Sequence, residues 1–153
     1  MPNVLDWYEV LIRLLVACAC AAAIGWERET ANRPAGLRTN IMVGLGAAVL
    51  AVIAVEATWS GMFTSDHVGV DPYRILAAVV GGVGFLGAGA VIQGRGENVK
   101  GLTTAAGIWV SAAIGLAAGL GFYFVAGATA VFAFLVLRAL RPVEPKSKDK
   151  DNE

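Results

Sequence analysis

Charge is scarce in this chain. Asp, Glu, Lys and Arg make up 16% of its 153 residues, against roughly 25% in an ordinary soluble domain. Twelve basic and twelve acidic residues cancel, so no basic field exists to hold nucleic acid. Histidine occurs once, as His67 between Asp66 and Asp71, and reads as a loop residue. No serine–histidine or cysteine–histidine partnership is available, nor paired acids in a credible pocket, so the chain is not expected to be an enzyme.

Cysteine is almost as rare. Cys18 and Cys20 are the only two, and on a helix residues two apart point roughly 200° from each other. That excludes a shared disulfide or metal and leaves small apolar space-filling. The start of the chain lacks the positive charge a secretory leader needs, since Asp6 and Glu9 precede the first apolar run. Leu15-Val16-Ala17-Cys18 and Ala21-Ala22-Ala23 look like processing sites but therefore belong to a retained helix.

Long apolar runs are what the chain has in abundance, with 57% hydrophobic residues. A membrane-spanning helix needs about 20 predominantly apolar residues. Spans are expected at about 8–26, 39–59 and 72–93. Residues 101–137 then carry no charge for 37 positions, about 55 Å as a single helix and nearly twice the hydrocarbon thickness. Two spans, 101–119 and 121–140, with a reversal at Gly119-Leu120-Gly121, fit that length. The expected fold is all-α: a bundle of about five transmembrane helices in one domain, residues 1–141.

Charge distribution orients the bundle. Arg28, Arg33, Arg38, Arg95, Lys100, Arg138, Arg141, Lys146, Lys148 and Lys150 all fall on one side, leaving Arg13 and Arg74. The loop 60–71 opposite carries Asp66 and Asp71 and no Lys or Arg. By the positive-inside rule the N-terminus lies outside and the C-terminus in the cytoplasm. Residues 142–153, with Pro142, Pro145 and alternating charges, are expected to form a disordered cytoplasmic tail.

Gly82 to Gly87 reads G-x-G-x-x-G, but a dinucleotide fingerprint has physical content only between a strand and a helix. Inside an apolar span, glycines instead let helices approach closely. Gly81, Gly82, Gly84, Gly87 and Gly89 mark the third span, and Gly107, Ser111, Gly115 and Gly119 recur every fourth residue on the fourth. Ala17, Ala21 and Gly25 do the same on the first. Tight helix packing is the plainer reading; a glycine-lined pore or broken helix is the alternative.

Charge inside the membrane is more specific. Arg13, Glu56 and Arg74 should lie at similar depth near the outer face. An Arg13–Glu56 pair joined by Arg74 or Asp71 follows as an expectation, serving as structural glue or as part of an ion path. A second polar cluster gathers at the cytoplasmic face: Glu27-Arg28-Glu29, Arg38-Thr39-Asn40 and Thr103-Thr104, for each of which a solvated loop is the plainer reading. Thr103 or Thr104 is expected to N-cap the fourth span, turning the positive end of that helix toward the cytoplasmic vestibule. Glu27 and Glu29 offer oxygen to Mg²⁺, a weak metal signal in a mixed-charge loop. No other cofactor is implied.

Four stretches in order resemble the MgtC/SapB family of bacterial inner-membrane proteins: Gly25-Trp26-Glu27-Arg28-Glu29, Pro34 to Thr39 (PAGLRT), Gly82 to Gly89 (GVGFLGAG) and Gly101 to Ala106 (GLTTAA). The resemblance runs from about Arg13 to Tyr123. It implies a multi-pass protein of the bacterial inner membrane, adaptation to low magnesium and, in some pathogens, survival inside host cells. It also implies binding and modulation of other membrane proteins, including the F-type ATP synthase, rather than the magnesium transport with which members are often labelled. Many members carry a further cytoplasmic domain of the ACT type, and this chain is similar to the short, membrane-only form. Glu27, Arg28, Arg38, Thr39, Thr103, Thr104 and the glycines of 82–89 are the positions the resemblance singles out.

Two functions stay open on these grounds. A non-catalytic regulator would turn its small-residue stripes toward a partner helix or a second copy, making a homo-oligomer. A Mg²⁺ or other cation channel would gather acidic or carbonyl oxygens along an axis, and arginine-bearing layers favour it less.

Overall fold

A computed structural model describes residues 4–60, 71–92 and 100–140. Five helices follow one another: α1 (Trp7–Thr30), α2 (Leu37–Trp59), α3 (Pro72–Ile92), α4 (Leu102–Gly119) and α5 (Tyr123–Ala139). The described residues form no strand. Four helices, α1 to α4, are long and apolar enough to cross a membrane. The fifth is apolar with 17 residues, about 26 Å of rise and close to the shortest workable span. Asp66, His67, Arg95, Arg141 and the tail 142–153 lie outside the described residues.

The helix ends show why the chain reverses where it does. After α4, Gly121 takes φ +89°. Its N–H donates to the Ala118 carbonyl at 3.0 Å, and the Phe122 N–H to Ala117 at 2.8 Å. This is a Schellman stop, and its left-handed residue favours glycine. The end of α1 repeats the motif with Asn32 at φ 52°: Asn32 N–H reaches the Glu29 carbonyl and Arg33 N–H the Arg28 carbonyl. The first helix thus runs past Trp26, and Glu27, Arg28 and Glu29 stand in its last turns rather than in a loop. The apolar run stops at Glu27, whereas backbone bonding continues to the αL residue. Likewise Arg38 stands in the first turn of α2 instead of preceding it, and Thr39 lies in that turn as the expected span has it.

Successive helices run antiparallel, so the bundle has an Arg13 end and an Arg28 end. Its interior is built from small side chains. Ala17, Ala21, Ala48, Ala51, Ala54 and Ala118 are fully buried, with Ile24 and Ile114 the largest apolar side chains among them. The closest contacts are between α2 and α4. A Cβ at Gly115 would stand against the Gly44 carbonyl and 2.9 Å from the Ala47 Cβ. One at Gly119 would lie 2.5 Å from the Ala48 oxygen and 2.7 Å from the Ala51 Cβ. On α1, Gly25 admits the Leu37 Cα to 2.6 Å of its Cβ position, and Ala21 fills the place beside Gly44.

The third helix is different. Half of the apolar stretch of α4 is buried, but only 11% of that of α3. Val79 and Val83 anchor α3 on a second core cluster with Ala47, Ile108 and Ala112. Its glycines make no such contact: a Cβ at Gly81, Gly82, Gly84 or Gly89 would meet nothing within 4 Å, and one at Gly87 only the Ala105 Cβ at 3.6 Å. Gly107 on α4 also has open space at its Cβ position. The Gly82–Gly87 motif lies wholly inside α3, and no strand precedes it among the described residues.

Candidate functional site

The Arg28 end gathers the polar residues of three helices. Arg28, only 5% exposed, sits in the last turn of α1. Its Nη2 donates to the Thr104 Oγ1 of α4 at 2.5 Å and to the Pro34 carbonyl at 3.3 Å. One guanidinium thereby ties α1, the α1–α2 connection and α4 together with charge-assisted bonds. Glu29 faces outward, and its Oε2 accepts the Leu37 N–H at 2.7 Å. That carboxylate satisfies one of the orphan donors at the start of α2 and favours the positive end of its dipole.

Deeper in, Asn40 is 1% exposed. Its Nδ2 donates to the carbonyls of Ala35 and Gly36 at 2.5 and 2.9 Å. Its Oδ1 accepts the Ser111 hydroxyl at 2.7 Å. Both polar ends of the amide are used, as burial requires. In the sequence Asn40 stands out only as part of the cytoplasmic polar cluster and Ser111 only as a small residue of the fourth span. The signal available for Asn40 is an amide side chain at the second position of the expected apolar span 39–59.

The α4 start departs from expectation. Neither Thr103 nor Thr104 caps it; Gly101 is the N-cap residue, at φ 91°, with no side-chain cap. A Cβ there would run into the Ala90 carbonyl of α3. The glycine of GLTTAA is thus fixed both by backbone conformation and by close approach. Thr104 lies one turn inside the helix as the acceptor for Arg28, while Thr103 is exposed, as are Arg38 and Thr39. Lys100 stands at the rim of a cavity of about 620 Å³ between the ends of α2, α3 and α4, which Pro34, Thr39, Phe85 and Thr104 also line.

Glu27 and Glu29 are two residues apart on one helix, so they diverge by roughly 200°. Glu27 is 4% exposed and Glu29 exposed; they share no site. Among the described residues no three His, Cys, Asp or Glu side chains converge as metal ligands.

At the Arg13 end the expected pair does not form. Arg13 Nη1 donates to the Gly119 carbonyl at 2.7 Å, and its guanidinium lies over Gly121. That carbonyl is left over by the Schellman turn, at the negative end of the α4 dipole, where a cation is favoured. Glu56 instead accepts the backbone N–H groups of Val4 and Leu5 at 2.9 and 2.7 Å. Arg74 faces its own helix cap, Asp71, at 3.9 Å, and Asp71 Oδ1 accepts the Tyr73 N–H. Similar depth favours pairing, but unsatisfied backbone groups at the helix ends take Arg13 and Glu56 first.

The chain matches the model of the MgtC family over residues 14–146. It is 41% identical to YhiD of Escherichia coli (strain K12) over 143 residues, covering 94% of this chain and 66% of that one. Protein SapB of Bacillus subtilis (strain 168) is 35% identical, with 95% and 66% covered. Protein MgtC of Salmonella typhimurium (strain LT2) is 46% identical, with 74% and 45% covered. The chain thus spans from under half to about two thirds of the length of these relatives. No solved structure matches it.

Proposed function

The chain belongs to the MgtC family of multi-pass membrane proteins, and on that premise we propose that it is a non-catalytic regulator of other membrane proteins in magnesium homeostasis. YhiD is named as a candidate magnesium transporter, which supplies the link to magnesium. The observation that carries the regulatory role is the outward face of α3. Ala77, Gly81, Gly84 and Ala88 are all exposed and recur at intervals of four, three and four. They form one smooth stripe opposite the side that packs on the core. A stripe of this kind lets another transmembrane helix approach closely, and nothing within the described chain uses it.

The polar residues of the motifs support the same reading. Arg28, Thr104, Asn40 and Ser111 are spent on holding α1, α2 and α4 together, which makes a rigid platform behind α3. With the N-terminus outside, as the basic loops favour, this latch faces the cytoplasm of a bacterial inner membrane. The partner helix belongs to another membrane protein, with the F-type ATP synthase a candidate, or to a second copy.

Liposomes test this directly. Purified full-length protein should give no Mg²⁺ uptake above empty vesicles. Robust uptake abolished by Glu27→Gln or Glu56→Gln would overturn the regulator in favour of a channel. In cells depleted of the native protein, wild type should restore growth in low magnesium and Gly84→Leu should not, at equal protein level.

A further inference from the structure

Between α2 and α3 runs an open apolar groove of about 670 Å³. The small residues Gly46, Ala47, Ala78 and Gly82 line it, leaving a smooth floor, and among the described residues its one charged lining residue is Arg74, at one end. We propose that this groove binds an anionic phospholipid, with one acyl chain along the floor and the phosphate on the Arg74 guanidinium.

Length supports the assignment. From Arg74 to Leu86, the far lining residue on α3, twelve residues rise about 18 Å. One leaflet of the hydrocarbon core is about 15 Å deep. The groove therefore runs from headgroup level to near the midplane, the reach of a single acyl chain.

Charge supports it further. Arg74 stands in the first turn of α3, at the positive end of the helix dipole, where a cation is disfavoured. Its partner Asp71 is 3.9 Å away, and the two side chains are 89% and 48% exposed, so that pair is weak. Both carboxylate oxygens of Glu56 are engaged by the backbone of Val4 and Leu5. A phosphate offers the planar guanidinium two acceptor oxygens at once. An apolar trough ending in one exposed arginine is complementary to a molecule with an apolar tail and an anionic head. The groove side of α3 is also distinct from its Gly81–Gly84 stripe: on a helical wheel the two faces diverge by about 150°. The lipid site and the partner surface can therefore fail separately.

Native mass spectrometry of the purified full chain, offered equimolar dioleoyl-phosphatidylglycerol and dioleoyl-phosphatidylcholine, tests the site. Phosphatidylglycerol adducts should exceed phosphatidylcholine adducts about fivefold, the selectivity of one basic residue at an anionic headgroup. Arg74→Gln should bring the ratio to about one with an unchanged melting temperature, whereas Arg138→Gln at the other end should leave it intact. Gly82→Leu, whose Cβ would have nothing within 4 Å, puts a side chain into the groove and should lower adducts of both lipids, and Gly84→Leu should lower neither. Equal adducts in the wild type, or a preference that survives Arg74→Gln, would refute the proposal. Equal losses in Arg74→Gln and Arg138→Gln would mean general surface charge. Gly82→Leu abolishing a dimer while sparing lipid adducts would assign the groove to a second copy.

Discussion

Glycine does opposite things in α4 and in α3. On α4, Gly115 and Gly119 have the backbone of α2 pressed against the place where a side chain would be. On α3, Gly81, Gly82, Gly84 and Gly89 have nothing there. The two helices read alike, both apolar and both rich in small residues, yet one is half buried and the other barely so. A small-residue stripe therefore identifies a surface made for close approach without saying whether the approaching helix belongs to the same chain.

The largest effect should come from breaking the internal contact. Gly115→Leu must displace the Gly44 carbonyl and the Ala47 Cβ, both on the rigid α2. Overpacking against backbone of this kind costs about 3 kcal/mol or more. SDS-induced unfolding in mixed micelles should show a midpoint far below wild type. A midpoint within error of wild type would show that α2 and α4 are not the fixed core described above.

Next in size is the polar latch. Thr104→Val keeps the shape of the side chain but removes the acceptor for Arg28 Nη2, a charge-assisted bond in a buried place. The expected loss is about 2 kcal/mol by the same measurement. Amide exchange at the Arg28 ends of α1 and α4 should quicken together, since one guanidinium joins them. At the other end Arg13→Leu removes the donor to the Gly119 carbonyl. About 1 kcal/mol should be lost there, with exchange quickening at the α4–α5 turn. Glu56→Gln, on the pairing expected from depth alone, would have mimicked Arg13→Leu; instead it should loosen only the segment around Val4 and Leu5.

These cases show what could be read in advance. Helix number, the reversal at Gly119–Gly121 and the family motifs were legible, because hydrophobic length and glycine conformation are local. Gly101 was visible as part of a motif, but the reason for it, the Ala90 carbonyl of α3, is a tertiary contact. The pairing of Arg13 was not legible. It depends on which backbone carbonyl a turn leaves unsatisfied, and a charge pattern holds no record of that. Nor could sequence divide the glycines into inward and outward sets, since small residues three or four apart make a smooth face on both helices.

The smallest change expected is also the one that separates the two helices most cleanly. Gly84→Ala adds a methyl group where nothing lies within 4 Å, on a helix whose backbone gains order by losing a glycine. In the isolated protein it should stabilise by about 0.5 kcal/mol, whereas Gly115→Ala, the same chemical change, should destabilise. Opposite signs for one substitution would establish that α3 is unpartnered in the monomer. If Gly84→Ala instead destabilises the purified protein, its outward stripe is already occupied there by a second copy. The loss should then grow as the protein-to-detergent ratio rises. A stabilised variant that no longer supports growth in low magnesium would show that the stripe's smoothness serves a partner and not the fold.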